Sequence, residues 1–450
     1  MSLSVSRLLT REEYQRLQAQ ASGAPDFAYI GSTGEGNARG LLCGFSALAC
    51  ESITVNSKSS DRARLSGLAD EMEQVVEKYA LDSSIAADFL SGGWIGFLSY
   101  ELGYVREKRL APLCPNVDTP LLHAGFYLWT ASHNRTSGTY YLWIHPACEQ
   151  RTLETLARWL QSDLAPGPAD WTMIRPFAPR QSARDYRDSV SAIRDYISAG
   201  DCYQVNLSQE FSGEFRGNPW HAFQALAAEN PTPYSAFIRA GGQSILSVSP
   251  ERFLEIRGKT ILTSPIKGTR PRGDTSAQDV AYSNELQASE KDRAENLMIV
   301  DLLRNDLGVS AEAGSVSVDA LFSLESYRNV HHLVSHIRAT LREDVSPMQA
   351  LIDAFPGGSI TGAPKIRAME IIRELEPHWR GPYCGSVFYR GLNGILDSNI
   401  AIRTLLCDDA GTIRCWGGGG VVADSDPQAE YEETLTKVRP LMAFLEHFNT

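Results

Sequence analysis

Gly417-Gly418-Gly419-Gly420-Val421-Val422-Ala423-Asp424-Ser425-Asp426-Pro427-Gln428-Ala429-Glu430-Tyr431-Glu432-Glu433-Thr434 joins a glycine run to a helix start, and the reading of the C-terminal half turns on that junction. Asp426 is suited to cap the helix with Pro427 at its first position, where proline's missing amide costs nothing. Glu430, Glu433 and Lys437 then fall at i, i+3 and i+7 on one face, while Leu435, Val438, Met442 and Leu445 take the opposite one. The glycines leave backbone N–H groups open to close approach by an anion, as unhindered amides do in a nest. On spacing alone the acidic face reads more simply as a solvated stripe over an apolar core.

A second acidic helix is expected over Glu290-Lys291-Asp292-Arg293-Ala294-Glu295-Asn296-Leu297-Met298-Ile299-Val300-Asp301-Leu302-Leu303, where Asp292 and Glu295 lie three apart and share a face. A carboxylate ligand held beside carboxylate side chains needs a cation between them. Mg2+ suits that role because it is hard, takes oxygen ligands and keeps positions for water and substrate.

Working outward, residues 182 to 450 alternate helices with β-rich runs and carry no internal repeat or low-complexity tract, which favours an α+β fold with large sheets over a doubly wound one. Residues 1 to about 160 mix short strand-like runs with helices expected over Asp61 to Tyr79 and Thr152 to Leu160. The best break is Ala165-Pro166-Gly167-Pro168-Ala169-Asp170, because proline cannot continue the preceding helix; it divides the chain into regions 1–165 and 180–450. Gly92-Gly93-Trp94-Ile95-Gly96-Phe97 fits no phosphate-binding loop and predicts close backbone packing.

The 450 residues, 43% hydrophobic and 21% charged, describe an ordinary folded globular protein. A net charge of -12 and the lack of any Lys/Arg run argue against a nucleic-acid partner. No run approaches the roughly 20 apolar residues of a membrane span, and the first residues do not read as a secretory leader, so a cytoplasmic location is expected. The eight cysteines show no Cys-x-x-Cys pair and read as buried, reduced thiols.

Two further motifs complete a pattern, Pro356-Gly357-Gly358-Ser359-Ile360-Thr361-Gly362-Ala363-Pro364-Lys365 and Asp301-Leu302-Leu303-Arg304-Asn305-Asp306-Leu307-Gly308, together with Gly418 to Ser425 before Glu430-Tyr431-Glu432-Glu433-Thr434. Over about residues 182 to 445 the chain resembles the chorismate-binding enzymes, which include the anthranilate, aminodeoxychorismate, isochorismate and salicylate synthases. The resemblance implies an anthranilate synthase component I-like α+β fold of two packed antiparallel sheets flanked by helices, with residues 1–165 sharing in the sheet core. It implies Mg2+ held by Glu295 and Glu433 with Asp292 and Glu430 beside them, although many relatives carry Glu at the position of Asp292. It further implies chorismate bound by Gly268, Thr269, Tyr383, Arg403, Lys437 and the backbone at Gly419 and Gly420. His332 matches the family's active-site histidine; without the resemblance, a satisfied core histidine on a strand is the simpler reading.

Within the family, the water-using isochorismate and salicylate synthases carry a lysine base where this chain has Gln204. A neutral amide cannot deprotonate water, so Gln204 points to ammonia, a nucleophile that needs no such base. In Ser264-Pro265-Ile266-Lys267-Gly268-Thr269-Arg270, anthranilate synthases resemble the chain but carry alanine in place of Lys267. Lysine there implies covalent attack at C2 of chorismate, then displacement by ammonia at C4 to give 4-amino-4-deoxychorismate, the precursor of 4-aminobenzoate and folate. A free lysine has a pKa of about 10.4, so such a nucleophile requires desolvation or a neighbouring cation. The family's acid for the departing hydroxyl maps to Glu251.

No segment resembles a glutamine amidotransferase, so the resemblance implies a heterodimer with a separate subunit that releases ammonia from glutamine. Relatives bind tryptophan near the strand that here carries Tyr203 and Asn206. The competing readings are an anthranilate synthase component I, which would release pyruvate, and a non-catalytic chorismate- or tryptophan-binding regulatory partner.

Overall fold

The computed structural model describes residues 5–33, 42–58, 63–81, 88–162, 170–327 and 330–448. Two antiparallel sheets, one of 12 strands and one of 10, carry the described chain. The expected linker at 165–170 lies outside the described residues apart from Asp170. On either side of it the two regions share both sheets: Ala28–Gly31 pairs with Tyr234–Ala240 in the larger, and Gly93–Leu98 pairs with Ser386–Gly391 in the smaller. Regions 1–165 and 180–450 are thus interwoven through strand pairing.

Alternation along the central strands shows how two faces are filled. Ala236 and Ile238 join an apolar cluster with residues of the smaller sheet such as Phe97, Ile256 and Leu396. Phe237 between them joins a second cluster with Leu17, Trp220, Phe223 and Leu445, contributed by helices on the outer face. Successive side chains of a strand point to opposite faces, so burial on both sides requires an unbroken apolar run. The glycine-punctuated segment packs as expected: a side-chain carbon on Gly93 would lie 2.2 Å from the Arg390 carbonyl oxygen, and one on Gly96 2.3 Å from that of His123.

Two sequence expectations are refined. The helix expected from Asp61 begins as a 3-10 turn over Ala63–Gly67 and becomes α-helical only over Leu68–Lys78, with residues 61 and 62 outside the described residues. Gly417 to Gly420 are not a loop nest. They extend the strand Thr412–Val421 and pair with Gln204–Gly217, Gly420 opposite Asn206 and Gly418 opposite Ser208. The flanking Ile413, Trp416 and Val421 are fully buried, and that burial carries the extended conformation through the glycines.

Helix Glu290–Gly308 packs on strands Ile266–Pro271 and Val330–Thr340 and on the turn Gly358–Ile360, whereas helix Pro427–His447 packs on Thr412–Val421. Asp426 caps the latter by accepting the Ala429 amide at 2.8 Å, and Leu435, Val438, Met442 and Leu445 are buried beneath it. Ser289 caps the former through the Asp292 amide at 3.2 Å. Both acidic faces are thereby fixed by apolar packing on the other side. None of the described helices is long and apolar enough to cross a membrane, and all eight cysteines are free.

Candidate active site

The chain crosses between the sheets twice side by side. One crossing, Pro250-Glu251, links strand Gln243–Ser249 to Arg252–Arg257; the other, residues 400–403, links Ile395–Asn399 to Thr404–Asp408. They are bonded together: the Ile400 amide donates to the Glu251 carbonyl at 3.0 Å, the Ser249 hydroxyl to the Ile400 carbonyl at 2.6 Å, and the Val248 amide to the Arg403 carbonyl at 3.1 Å. Glu251 and Arg403, far apart in sequence, are held as neighbours on one rim.

Glu251 is buried, and loss of water pushes its carboxyl up to about 7 against the opposing pull of Lys267, the Ser359 hydroxyl and the Ile266 amide. Near neutral pH it therefore holds a proton for a large part of the time, as a general acid must. Lys267, half-buried on strand Ile266–Pro271, acts electrostatically on three carboxyls: Glu251, Glu295 and Glu433. The nucleophile candidate thus stands between the acid candidate and the acidic helices.

Burial raises the Glu295 carboxyl above its ordinary range, reinforced by the charges of Asp292 and Glu433 and opposed by Lys267 and Lys291. Burial likewise raises Glu430, against the hydroxyl of Ser425, which donates to its Oε1 at 2.7 Å. At Glu433 burial also resists ionisation, but Lys437, 2.8 Å away, with Lys291 and Lys267 overcomes it and holds the carboxyl below its usual value. Asp292 is engaged elsewhere, ion-paired to Arg270 at 3.2 Å. Among the described residues no three acidic, histidine or cysteine side chains form a complete protein cage for a metal. The all-oxygen pair Glu295 and Glu433 nevertheless fits Mg2+ by donor type, since that ion is commonly bound by one or two carboxylates plus substrate oxygens and water.

Gly419 floors this cluster. A side-chain carbon there would lie 3.1 Å from Glu430 Oε2 and 3.8 Å from both Glu433 Oε1 and Lys437 Nζ, so only a bare backbone leaves room for a ligand. Lys437 donates to the Gly418 carbonyl at 2.9 Å. At Gly420 an added carbon would meet the Gln204 amide nitrogen at 2.7 Å. That nitrogen is buried with no hydrogen-bond partner among the described residues. An unsatisfied buried donor costs about 1–3 kcal/mol, a penalty that a ligand oxygen would remove.

Arg403 has backbone φ of +51°, and among the described residues no ion-pair or hydrogen-bond partner is assigned to its guanidinium; desolvation pulls its pKa down. A non-glycine residue in that conformation costs on the order of 1–3 kcal/mol and persists where the surroundings demand it. Tyr383 is buried and stacks on Trp416 with ring centres 6.1 Å apart. Its hydroxyl lies 3.0 Å from where a Gly418 side-chain carbon would sit. Gly268 has φ of +79° and lies against Asp292, and Thr269 Oγ1 bonds His332 Nδ1 at 2.9 Å. His332 is buried, with its ring against Tyr327.

The structure therefore brings together Lys267, Glu251, Gln204, Glu295, Glu430, Glu433, Lys437, Arg403, Tyr383 and the glycine strand. It does not gather Tyr203 and Asn206 into a pocket. Tyr203 is 74% exposed, while Asn206 is buried in the sheet. A cavity of about 480 Å3 between the sheets, lined by residues including Ile30, Tyr234, Arg252, Phe388 and Asp397, includes neither. Sequence reasoning missed two contributors. Ser359 donates to Glu251 Oε1 at 3.3 Å, and Arg380 binds Glu376 through two nitrogens at 2.7 and 2.9 Å and the carbonyls of Ile360 and Asn206 at 3.0 and 2.6 Å. Ser359 lay within a quoted motif, and the Arg-Gly-Pro-Tyr run ending in Tyr383 was the available signal for Arg380.

Residues 30–443 match the model of the chorismate binding enzyme family. The chain is 44% identical over 357 residues to aminodeoxychorismate synthase component 1 of Klebsiella aerogenes, covering 79% of this chain and 77% of that protein. It is 38% identical to anthranilate synthase component 1 of Pseudomonas aeruginosa, covering 82% and 78% of the respective chains. The crystal structure of anthranilate synthase component I from Streptococcus pneumoniae superposes with a TM-score of 0.77 at 29% identity, covering 90% of this chain and 92% of that one. Motifs, interwoven sheets and family match converge: this chain belongs to the chorismate-binding enzymes.

Proposed function

We propose that the chain is the chorismate-aminating component of an aminodeoxychorismate synthase, converting chorismate and ammonia to 4-amino-4-deoxychorismate. The observation that carries this reading is Lys267, set among Glu251, Glu295 and Glu433. Similarity to aminodeoxychorismate synthase component 1 over most of the chain supports it.

In this reading Arg403, Tyr383, Lys437 and the backbone of Gly419 and Gly420 receive the substrate's carboxylates, and the Gln204 amide donates to a substrate oxygen or orients ammonia. Glu295 and Glu433, with Glu430 and Asp292 beside them, would hold Mg2+. When bound, the ion supplies positive charge that neutralises these carboxylates and anchors an anionic substrate group.

Proton transfer from the Lys267 ammonium to the Glu251 carboxylate yields a neutral amine and a protonated acid together. The amine bonds to C2, the two conjugated ring double bonds shift, and the C4–O bond breaks as Glu251 gives its proton to the departing hydroxyl, which leaves as water. Ammonia then bonds to C4, both double bonds shift back, and the C2–N bond breaks. Glu251 takes up the proton shed by the incoming ammonia and passes it to Lys267, which leaves as the neutral amine and so regains its ammonium form. General acid help of this kind is worth about 10²–10⁴-fold. His332, held by Thr269, lines the same strand pair and orients substrate there.

A glutaminase subunit is the proposed source of ammonia in the cell. Incubation with chorismate, Mg2+ and ammonium, followed by an aminodeoxychorismate lyase, tests the reading. 4-Aminobenzoate is the expected product; anthranilate with pyruvate would assign the chain to anthranilate synthase, and no turnover would make it a binding partner only.

A further inference from the structure

Two motifs contain no residue assigned above to bind substrate, yet they meet at one turn. Asp301 to Gly308 lies on helix Glu290–Gly308, and Pro356 to Lys365 contains the turn Gly358–Ile360. Lys365 Nζ donates to Asp306 Oδ1 at 2.6 Å and to the Ala354 carbonyl at 3.3 Å, joining the two motifs by an ion pair that is largely buried. Leu302 fills the space over Gly358, where a side-chain carbon would lie 2.3 Å from it. Thr361 closes the turn from within, its amide donating to the Gly358 carbonyl at 3.1 Å and its hydroxyl to the Gly357 carbonyl at 2.9 Å. Arg380 holds the Ile360 carbonyl from the other side at 3.0 Å.

Such heavy bracing leaves one side chain of the turn to account for. Ser359 is 6% exposed, and its hydroxyl donates to Glu251 Oε1 at 3.3 Å. Glu251 sits in the crossover between two strands and not within one. A carboxyl that gives a proton to a leaving group must present one oxygen to it. Donors fixed on the carboxyl set how it is presented.

We infer that Ser359 is a positioning residue for Glu251: the Asp306–Lys365 pair and Leu302 lock the Gly358–Ile360 turn so that the Ser359 hydroxyl, together with the Ile266 amide, fixes the orientation in which the carboxyl meets the departing hydroxyl. The two motifs then act as a buttress for the acid, which explains why their residues need not reach substrate. This rests on the reading of Glu251 as the acid.

The experiment is a double-mutant cycle on the full chain, with steady-state amination of chorismate by ammonium in the presence of Mg2+ as the readout. Ser359→Ala is expected to lower kcat about 10-fold while the KM for chorismate stays within about 2-fold, the value expected when one neutral hydrogen bond acting only in the transition state is lost. In a Glu251→Gln background the same substitution is expected to cost nothing further in kcat, because the amide still accepts the bond but has no acid proton for it to position. Ser359→Cys keeps the shape with a weak donor and carries the same expectation should the alanine variant not fold. An equal loss in both backgrounds would overturn the inference alone, as would a raised KM with unchanged kcat or no change in kcat. Wild-type kcat in Glu251→Gln by itself would instead remove the acid assignment, and the inference with it.

Discussion

Two arginines on either side of Tyr383 are treated in opposite ways by the fold. Arg380 is 1% exposed and well satisfied: Glu376 takes it bidentately, two carbonyls take two of the three remaining donors, and its guanidinium carbon lies 4.4 Å from the Tyr100 ring centre. Arg403 is half-buried in a strained backbone with no assigned partner among the described residues. A well-satisfied guanidinium in the interior ties segments together. An unsaturated one, kept desolvated at some cost, is complementary to an anion that arrives later. The contrast repeats in the carboxyls: Glu376 accepts the Arg380 guanidinium, the Ser208 amide and the Ser208 hydroxyl, whereas Glu295 faces only lysines and other carboxyls. In the proposed reading the Arg380 region specifies the site's shape, and the Arg403 region meets the substrate.

The sharpest way to break this division is Lys267→Ala, expected to reduce 4-amination at least about 10³-fold, as loss of a covalent nucleophile does, while leaving the melting temperature unchanged. Retention of wild-type turnover would end the covalent role. Arg380→Met should strand Glu376 as an uncompensated buried charge and cost about 3–5 kcal/mol of stability, measurable by chemical denaturation. Arg403→Met should do the reverse: kcat/KM for chorismate falls about 10²-fold, the scale of a lost charge-assisted pair, with stability unchanged or improved because a desolvated cation is removed. Equal stability losses from both would erase the distinction.

A smaller effect sharpens it through pH. Burial raises Glu251 from its ordinary 4.5 to about 7, so the folded protein binds more protons than the unfolded chain between those values. Its contribution to stability is therefore full below about pH 4.5 and declines as pH rises through 7. In the proposed mechanism the ionised carboxyl first accepts the Lys267 proton, so kcat should rise as pH passes up through about 7; Glu251→Gln should abolish that limb. The smallest effect is expected at Tyr203, where Tyr203→Ala should change stability by less than about 0.5 kcal/mol because the side chain is 74% exposed.

The sequence announced local features best. The Asp426 cap, the Pro427 start and the apolar face beneath Glu430 and Glu433 follow from helical periodicity, and each stands as expected. Gly417 to Gly420 read as a nest because composition does not reveal pairing with residues 206–209 more than two hundred positions earlier. Separations of 108 and 174 positions likewise hid Ser359 from Glu251 and Arg380 from Asn206. Lys267, Gln204 and Arg403 were marked by resemblance to a family, not by any local pattern, and their convergence depends on two crossovers between sheets that no periodicity announces.

The central claim is that Lys267 forms a bond to the chorismate ring. Mass analysis of the chain quenched in acid after mixing with chorismate and Mg2+, without ammonium, tests it most directly. The expected result is an adduct of chorismate less one water on the peptide containing Lys267, lost when ammonium is added before the quench. Absence of any adduct on that peptide in a preparation that aminates chorismate rapidly would contradict it.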